Sequence, residues 1–156
     1  MRYTGSTDDA ALNRDVARFV ADPAAAAAAA AVKADGDPTG VLPVPVVTIH
    51  SINDPVAVVE QESTFRDVVR AAGSGDRLVQ AFTDEHEHSA LNALEVGAAL
   101  DELMRWIEAG AKPTPQSIAA ACEGLRASLD APCRYHPEFT PKPLNTRFYP
   151  REAAVR

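Results

Sequence analysis

The chain has 156 residues, enough for one domain that buries roughly 68–70% of the surface its unfolded form exposes. Apolar residues make up 46% and charged residues 24%, the balance of a soluble globular protein and not of a disordered one. A net charge of −7 with a pI near 5.0 excludes wholesale nucleic-acid binding, and no apolar run approaches the roughly 20 residues of a membrane span.

The N-terminus has no apolar segment followed by a small-residue cleavage site. No signal peptide is therefore expected, and the cytoplasm is the default compartment. Residues 8–22 place Leu12, Val16, Phe19 and Val20 at helical spacing, with Asp8 and Asp9 suited to the positive end of the helix dipole and Pro23 as a stop. Ala24–Ala34 reads as a second, low-complexity helix, because alanine has the highest helix propensity. DGDPTG at 35–40 is a loop by composition. Residues 1–40 are thus expected to form a helical capping or connecting segment.

The pattern then changes. PVPVVTIH at 43–50 is a β-branched, nearly continuous apolar run, as in a buried parallel strand, and SINDP breaks it. Val58, Phe65, Val68 and Val69 follow at helical spacing over 58–72, before Gly73. RLVQAFT at 77–83 predicts a second strand. Leu91–Gly110 predicts a long amphipathic helix with Leu94, Ala98, Leu100, Leu103, Met104 and Ile107 along one face. Gln116–Leu129 is the last predicted helix, and residues 130–156 form a Pro-rich, mildly basic tail. Residues 41–113 are a βαβα core, and 114–156 are the closing helix and tail.

A βαβα unit fixes geometry. Its two strands run parallel through a right-handed crossover, so both end on the sheet edge where open α/β sheets bind ligands. Asp54 lies just past the first strand and His88 just past the second, so topology brings these distant residues to one edge. An aspartate in Asn-Asp-Pro is also good turn chemistry. With a histidine nearby it gains a second use, since a carboxylate accepting the Nδ1 proton leaves Nε2 free to take a proton from a nucleophile.

His86 would point the same way as His88 in an extended segment, so a metal site on His86 and His88 is an alternative, with Asp84, Glu85, Glu87 and His50 as further donors. No helical His-Glu-x-x-His spacing supports it, and the carboxylates read more simply as solvated rim charges. His50 closes an apolar strand and reads as a structural residue. Cys122 and Cys133 are either two reduced thiols or a local disulfide, and a disulfide would imply an exported parent. Their spacing makes no zinc motif.

Residues 43–113 resemble the acid and histidine segments of the α/β-hydrolase superfamily. PVPVVTIHSINDPVAVVEQ is similar to the apolar strand that runs into the acid turn, with Ser51 in place of a usual glycine. RLVQAFTDEHEHSALNALE is similar to the following strand and histidine loop, with Glu87 in place of another glycine. LMRWIEAGAKP is similar to the closing helix of serine esterases. The resemblance implies a partial α/β-hydrolase fold, with Asp54 as triad acid and His88 as triad base, His86 falling outside the motif. It implies ester or amide hydrolysis of a small molecule through an acyl-serine, with no cofactor.

The nucleophile is missing. That superfamily orders its residues Ser, Asp or Glu, then His, with the serine on a Gly-x-Ser-x-Gly elbow. Gly5-Ser6-Thr7 lacks the preceding apolar strand and second glycine, and Gly73-Ser74-Gly75 lies after the acid. The chain therefore looks like the C-terminal part of a hydrolase, with no covalent catalysis of its own. The alternative is a non-catalytic binding or assembly module, or a half-enzyme completed in trans, using the unpaired edge of strand 43–50 for self-association or a second chain. Neither reading involves nucleic acid or membrane.

Overall fold

Proline decides where the first strand starts. Pro43 and Pro45 have no amide hydrogen to give to a ladder, so β1 runs Val46–Ser51 and not from residue 43. The computed structural model describes residues 2–127 and 131–147. β2, Leu78–Thr83, lies parallel to β1, in register from Val46 opposite Leu78 to Ser51 opposite Thr83. The Ile52 amide extends the pairing with a bond of 2.9 Å to the Thr83 carbonyl. Five α-helices accompany this two-stranded sheet among the described residues, so the chain is mixed α/β.

Packing divides the chain into residues 1–37 and 38–156. The first unit holds α1 (Asp9–Asp15) and α2 (Ala25–Gly36). Asp8 caps α1 by accepting from the Ala11 amide at 2.9 Å. The helix expected over 8–22 stops at Asp15. Val16 is extended, and the Arg18 guanidinium takes the Asn13 carbonyl at 3.1 Å, the acceptor that residue 17 would have needed. Phe19 and Val20 are 98% and 90% exposed, so they join no core despite their spacing. α2 buries no residue, as its alanine side chains have little area to bury.

In the second unit α3 (Gln61–Ala71) separates the strands, and α4 (Ala93–Ala109) and α5 (Pro115–Leu125) follow them. Val58–Glu60, expected in the helix, instead form its entry turn. Their carbonyls accept from Gln61, Glu62 and Ser63 at 3.0, 3.1 and 3.1 Å, a 3₁₀-type pattern. An Asn92–Glu95 capping box starts α4, and Gly110 ends it at φ 70°. Thr114 caps α5 with Pro115 in its first turn. The end of the last predicted helix, at Ser128–Leu129, and the tail beyond residue 147 lie outside the described residues.

Val47, Ile49, Val79 and Ala81 on one sheet face pack with Ala99, Leu103 and Trp106 of α4 and Ile118 of α5. Leu94, Ala98 and Cys122 join α4 to α5, where Cys122 forms a disulfide with Cys133, Cα atoms 5.9 Å apart. The buried face of α4 thus mixes small and large residues: Leu94, Ala98, Ala99 and Trp106. Leu100, Met104 and Ile107, expected on that face, are 54%, 43% and 55% exposed and fall with Val96 on a separate stripe. Ala98 and Ala99 allow the close approach to strands and α5 that those larger side chains would prevent.

The C-terminal segment returns to the sheet. The Asp84 amide bonds the Arg134 carbonyl and the His136 amide bonds the Phe82 carbonyl, both at 2.8 Å, with Tyr135 antiparallel to Thr83. Phe139 packs edge-on against Phe82 at 5.2 Å.

Candidate active site

Parallel pairing delivers both strand ends to one edge, and the loops leaving them are pinned together there. Asn53 Nδ2 donates to Asp84 Oδ1 at 2.9 Å, one loop to the other. Asp54 then meets His88, whose Nδ1 lies 2.8 Å from Oδ2 and 3.1 Å from Oδ1. Asp54 is also a turn residue, since its Oδ1 accepts from the Val56 and Ala57 amides at 2.8 Å each. The turn and the histidine use the same carboxylate.

The Asp54 side chain is 6% exposed and that of His88 49%. Burial works against the Asp54 charge, but the His88 hydrogen bond, the two backbone amides and the His88 charge outweigh it. They hold the carboxyl at about 2, below its usual 3.8. An ionised carboxylate can only accept, so Nδ1 carries the proton, and in the neutral ring Nε2 holds the lone pair. Among the described residues Nε2 of His88 has no hydrogen-bond partner.

A cavity of about 200 Å³ adjoins the pair, lined also by Ile49, His50, Ser51, Ala57, Ser89 and Leu91. Small-molecule pockets start at about 300 Å³, so these walls enclose a reacting group and not a whole ligand. Ser89 has φ 58°, a left-handed conformation that costs a residue with a Cβ on the order of 1 kcal/mol.

The remaining candidates separate from this pair. His86 Nε2 is 3.8 Å from Asp84 Oδ1 and its side chain is 73% exposed, so His86 and His88 face different carboxylates. His136 Nε2 lies 3.7 Å from the other Asp84 oxygen. Among the described residues no group of three or more His, Cys, Asp or Glu is arranged to hold a metal ion. His50 Nδ1 is 2.8 Å from the Ser51 carbonyl. Glu85, expected as a solvated rim charge, is instead buried and paired with Arg134, which also holds Glu95 at 3.1 Å. The His86 amide, then the Arg134 charge, keep the Glu85 carboxyl below its usual range despite burial.

Two supporting features were not anticipated from the residues. The Asn53–Asp84 link had no local signal, since it joins two loops. The Glu95–Arg134 contact had half of one: Asn-x-x-Glu at 92–95 is a capping-box pattern that marks Glu95 as a helix-start residue. Among the described residues no helix is long and apolar enough to cross a membrane. No protein-family model, curated protein or solved structure matches this chain.

Proposed function

We propose that this chain supplies the acid and the histidine of a serine-hydrolase site, in the manner of the α/β-hydrolases. The observation that carries the reading is the 2.8 Å contact between His88 Nδ1 and Asp54 Oδ2, with Nε2 unpartnered among the described residues. Nε2 takes the proton of a serine hydroxyl as its oxygen attacks the carbonyl carbon of an ester or amide. The imidazolium, stabilised by Asp54, returns that proton to the departing alkoxide or amine, and water then releases the acyl group by the same route. The serine comes from a further segment, on the same polypeptide or another chain. In the superfamily order it lies on the N-terminal side of the acid.

The genomic DNA on the 5′ side of the Met1 codon should encode a Gly-x-Ser-x-Gly segment, in frame or frame-shifted. A protein joining that segment to this chain should hydrolyse p-nitrophenyl esters, and His88→Ala should remove the activity. Full turnover in the His88→Ala protein would overturn the reading.

A second reading, an assembly module, is favoured by a different observation. Among the described residues β1 pairs only with β2, and α4 presents Val96, Leu100, Met104 and Ile107 to solvent. An open strand edge and an exposed apolar stripe are what an added strand and helix would cover.

A further inference from the structure

Alongside β2 lies a second, larger cleft of about 380 Å³, and its charge is the reverse of the chain's. Arg66 and Arg70 enter it from α3, one helical turn apart, and Lys112 from the segment after α4. No aspartate or glutamate is among the described residues that line it. The chain carries 22 acidic residues against 15 basic, so three cations round one opening depart from its average surface.

These cations are weakly engaged. Arg66 Nε is 3.4 Å from Asp67 Oδ1, its own neighbour. Lys112 Nζ lies 3.5 Å from the Gly75 carbonyl and 5.5 Å from the Trp106 ring centroid. The Arg70 guanidinium has no hydrogen bond or ion pair among the described residues. Like charges four apart on a helix repel, and an anion between them turns that repulsion into attraction. Leu78 and Phe82 from β2, with Phe139 set edge-on to Phe82, give the cleft an apolar wall, and Gln80, Thr114 and Thr140 add polar side chains elsewhere round it. The volume falls at the small end of ligand sites, which span about 300–1,000 Å³.

We propose that this cleft binds a small organic anion: a carboxylate carried on an aromatic or compact apolar body. Arg66 and Arg70 take the carboxylate, since the planar guanidinium fork matches it in a bidentate fashion, and Lys112 adds a third positive charge. Phe82 and Phe139 take the body. The cleft shares no lining residue with the Asp54–His88 cavity, so the proposal stands apart from the hydrolase reading.

Calorimetric titration of the full chain with 1-naphthoate and with neutral 1-naphthamide tests it. Naphthoate should bind about tenfold more tightly than the amide, the worth of one charge-assisted contact, and should weaken at high salt. Arg66→Gln with Arg70→Gln should remove most of that advantage, while Arg14→Gln, a cation outside the cleft, leaves it intact. Should the double variant lose its cooperative melt, Lys112→Gln decides by the same comparison. Equal affinity for acid and amide, no binding at millimolar naphthoate, or full affinity in a well-folded variant would each overturn the proposal.

Discussion

Arg134 donates three hydrogen bonds to the buried Glu95, from its backbone amide at 3.2 Å, Nε at 3.1 Å and Nη2 at 3.3 Å. The same carboxylate accepts from the Asn92 amide at 3.1 Å, so one acid both caps α4 and ties down the C-terminal segment. Arg134→Met leaves the Glu95 charge without its guanidinium and should destabilise by about 2–3 kcal/mol, read as a lower urea midpoint at unchanged slope. Adding Glu95→Gln should recover part of the loss. A change within about 0.5 kcal/mol would place this pair with ordinary surface ion pairs.

Asp54 makes stability depend on acid. Its carboxyl sits at about 2 in the folded chain against 3.8 ordinarily, so the folded state binds the proton less readily than the unfolded one. The contribution is present above the unfolded value and is lost as pH falls from 3.8 towards about 2. Denaturant midpoints followed through that window should fall more steeply in the native sequence than in Asp54→Asn. Parallel curves would show that the carboxylate is not held down.

The Cys122–Cys133 disulfide spans 11 residues. In the chain-entropy model a closure of this size is worth about 3 kcal/mol, so reduction should lower the melting temperature on the order of 10 °C. Calorimetry with and without reductant measures it, and the double Cys→Ser variant should be insensitive to reductant. An equal melt in both conditions would mean that packing of Leu94, Ala98 and Ile118 alone holds α5 in place.

The strands were legible because a β-branched apolar run has few other homes, and the edge that brings Asp54 near His88 follows from parallel pairing. What escaped was local competition. Arg18 steals a carbonyl from α1, and Pro45 delays β1, effects of single side chains that periodicity averages away. α4 was misread for another reason. It bears two apolar stripes whose residues interleave along the chain. Leu94, Ala98 and Leu103 of the expected face pack inward with Ala99 and Trp106, while Leu100, Met104 and Ile107 fall on the exposed stripe. Glu85 and Glu95 were hidden because their partner, Arg134, is remote in sequence.

The two histidines should behave differently. In a protein that joins a serine-bearing segment to this chain, as the hydrolase proposal requires, His88→Ala should abolish turnover and His86→Ala change it little, since His86 faces Asp84. Asp54→Asn should cost several powers of ten, by analogy with roughly 10⁴ in a serine-protease triad. The chain by itself should take no fluorophosphonate label. Equal losses from both histidine variants would favour a site that they share.

Exposed Val96, Leu100, Met104 and Ile107 predict self-association at raised concentration. Leu100→Glu with Met104→Lys should shift light scattering towards the monomer without lowering the melting temperature. A strict monomer with a concentration-independent melt above about 60 °C in the unmodified chain would count against this.

The C-terminal segment has a further effect through where it lies. By pairing antiparallel at Phe82–Asp84 it occupies the outer flank of β2 at that end, while the flank of β1 has no strand against it among the described residues. At that end the sheet thus has a valence of one. A strand added beside β1 finds a ladder, and one added beside β2 as far as Phe82–Asp84 collides with residues 134–136. Edge pairing between two copies through β1 then gives a closed pair with both reactive flanks spent, whereas a sheet open on both sides would grow without limit.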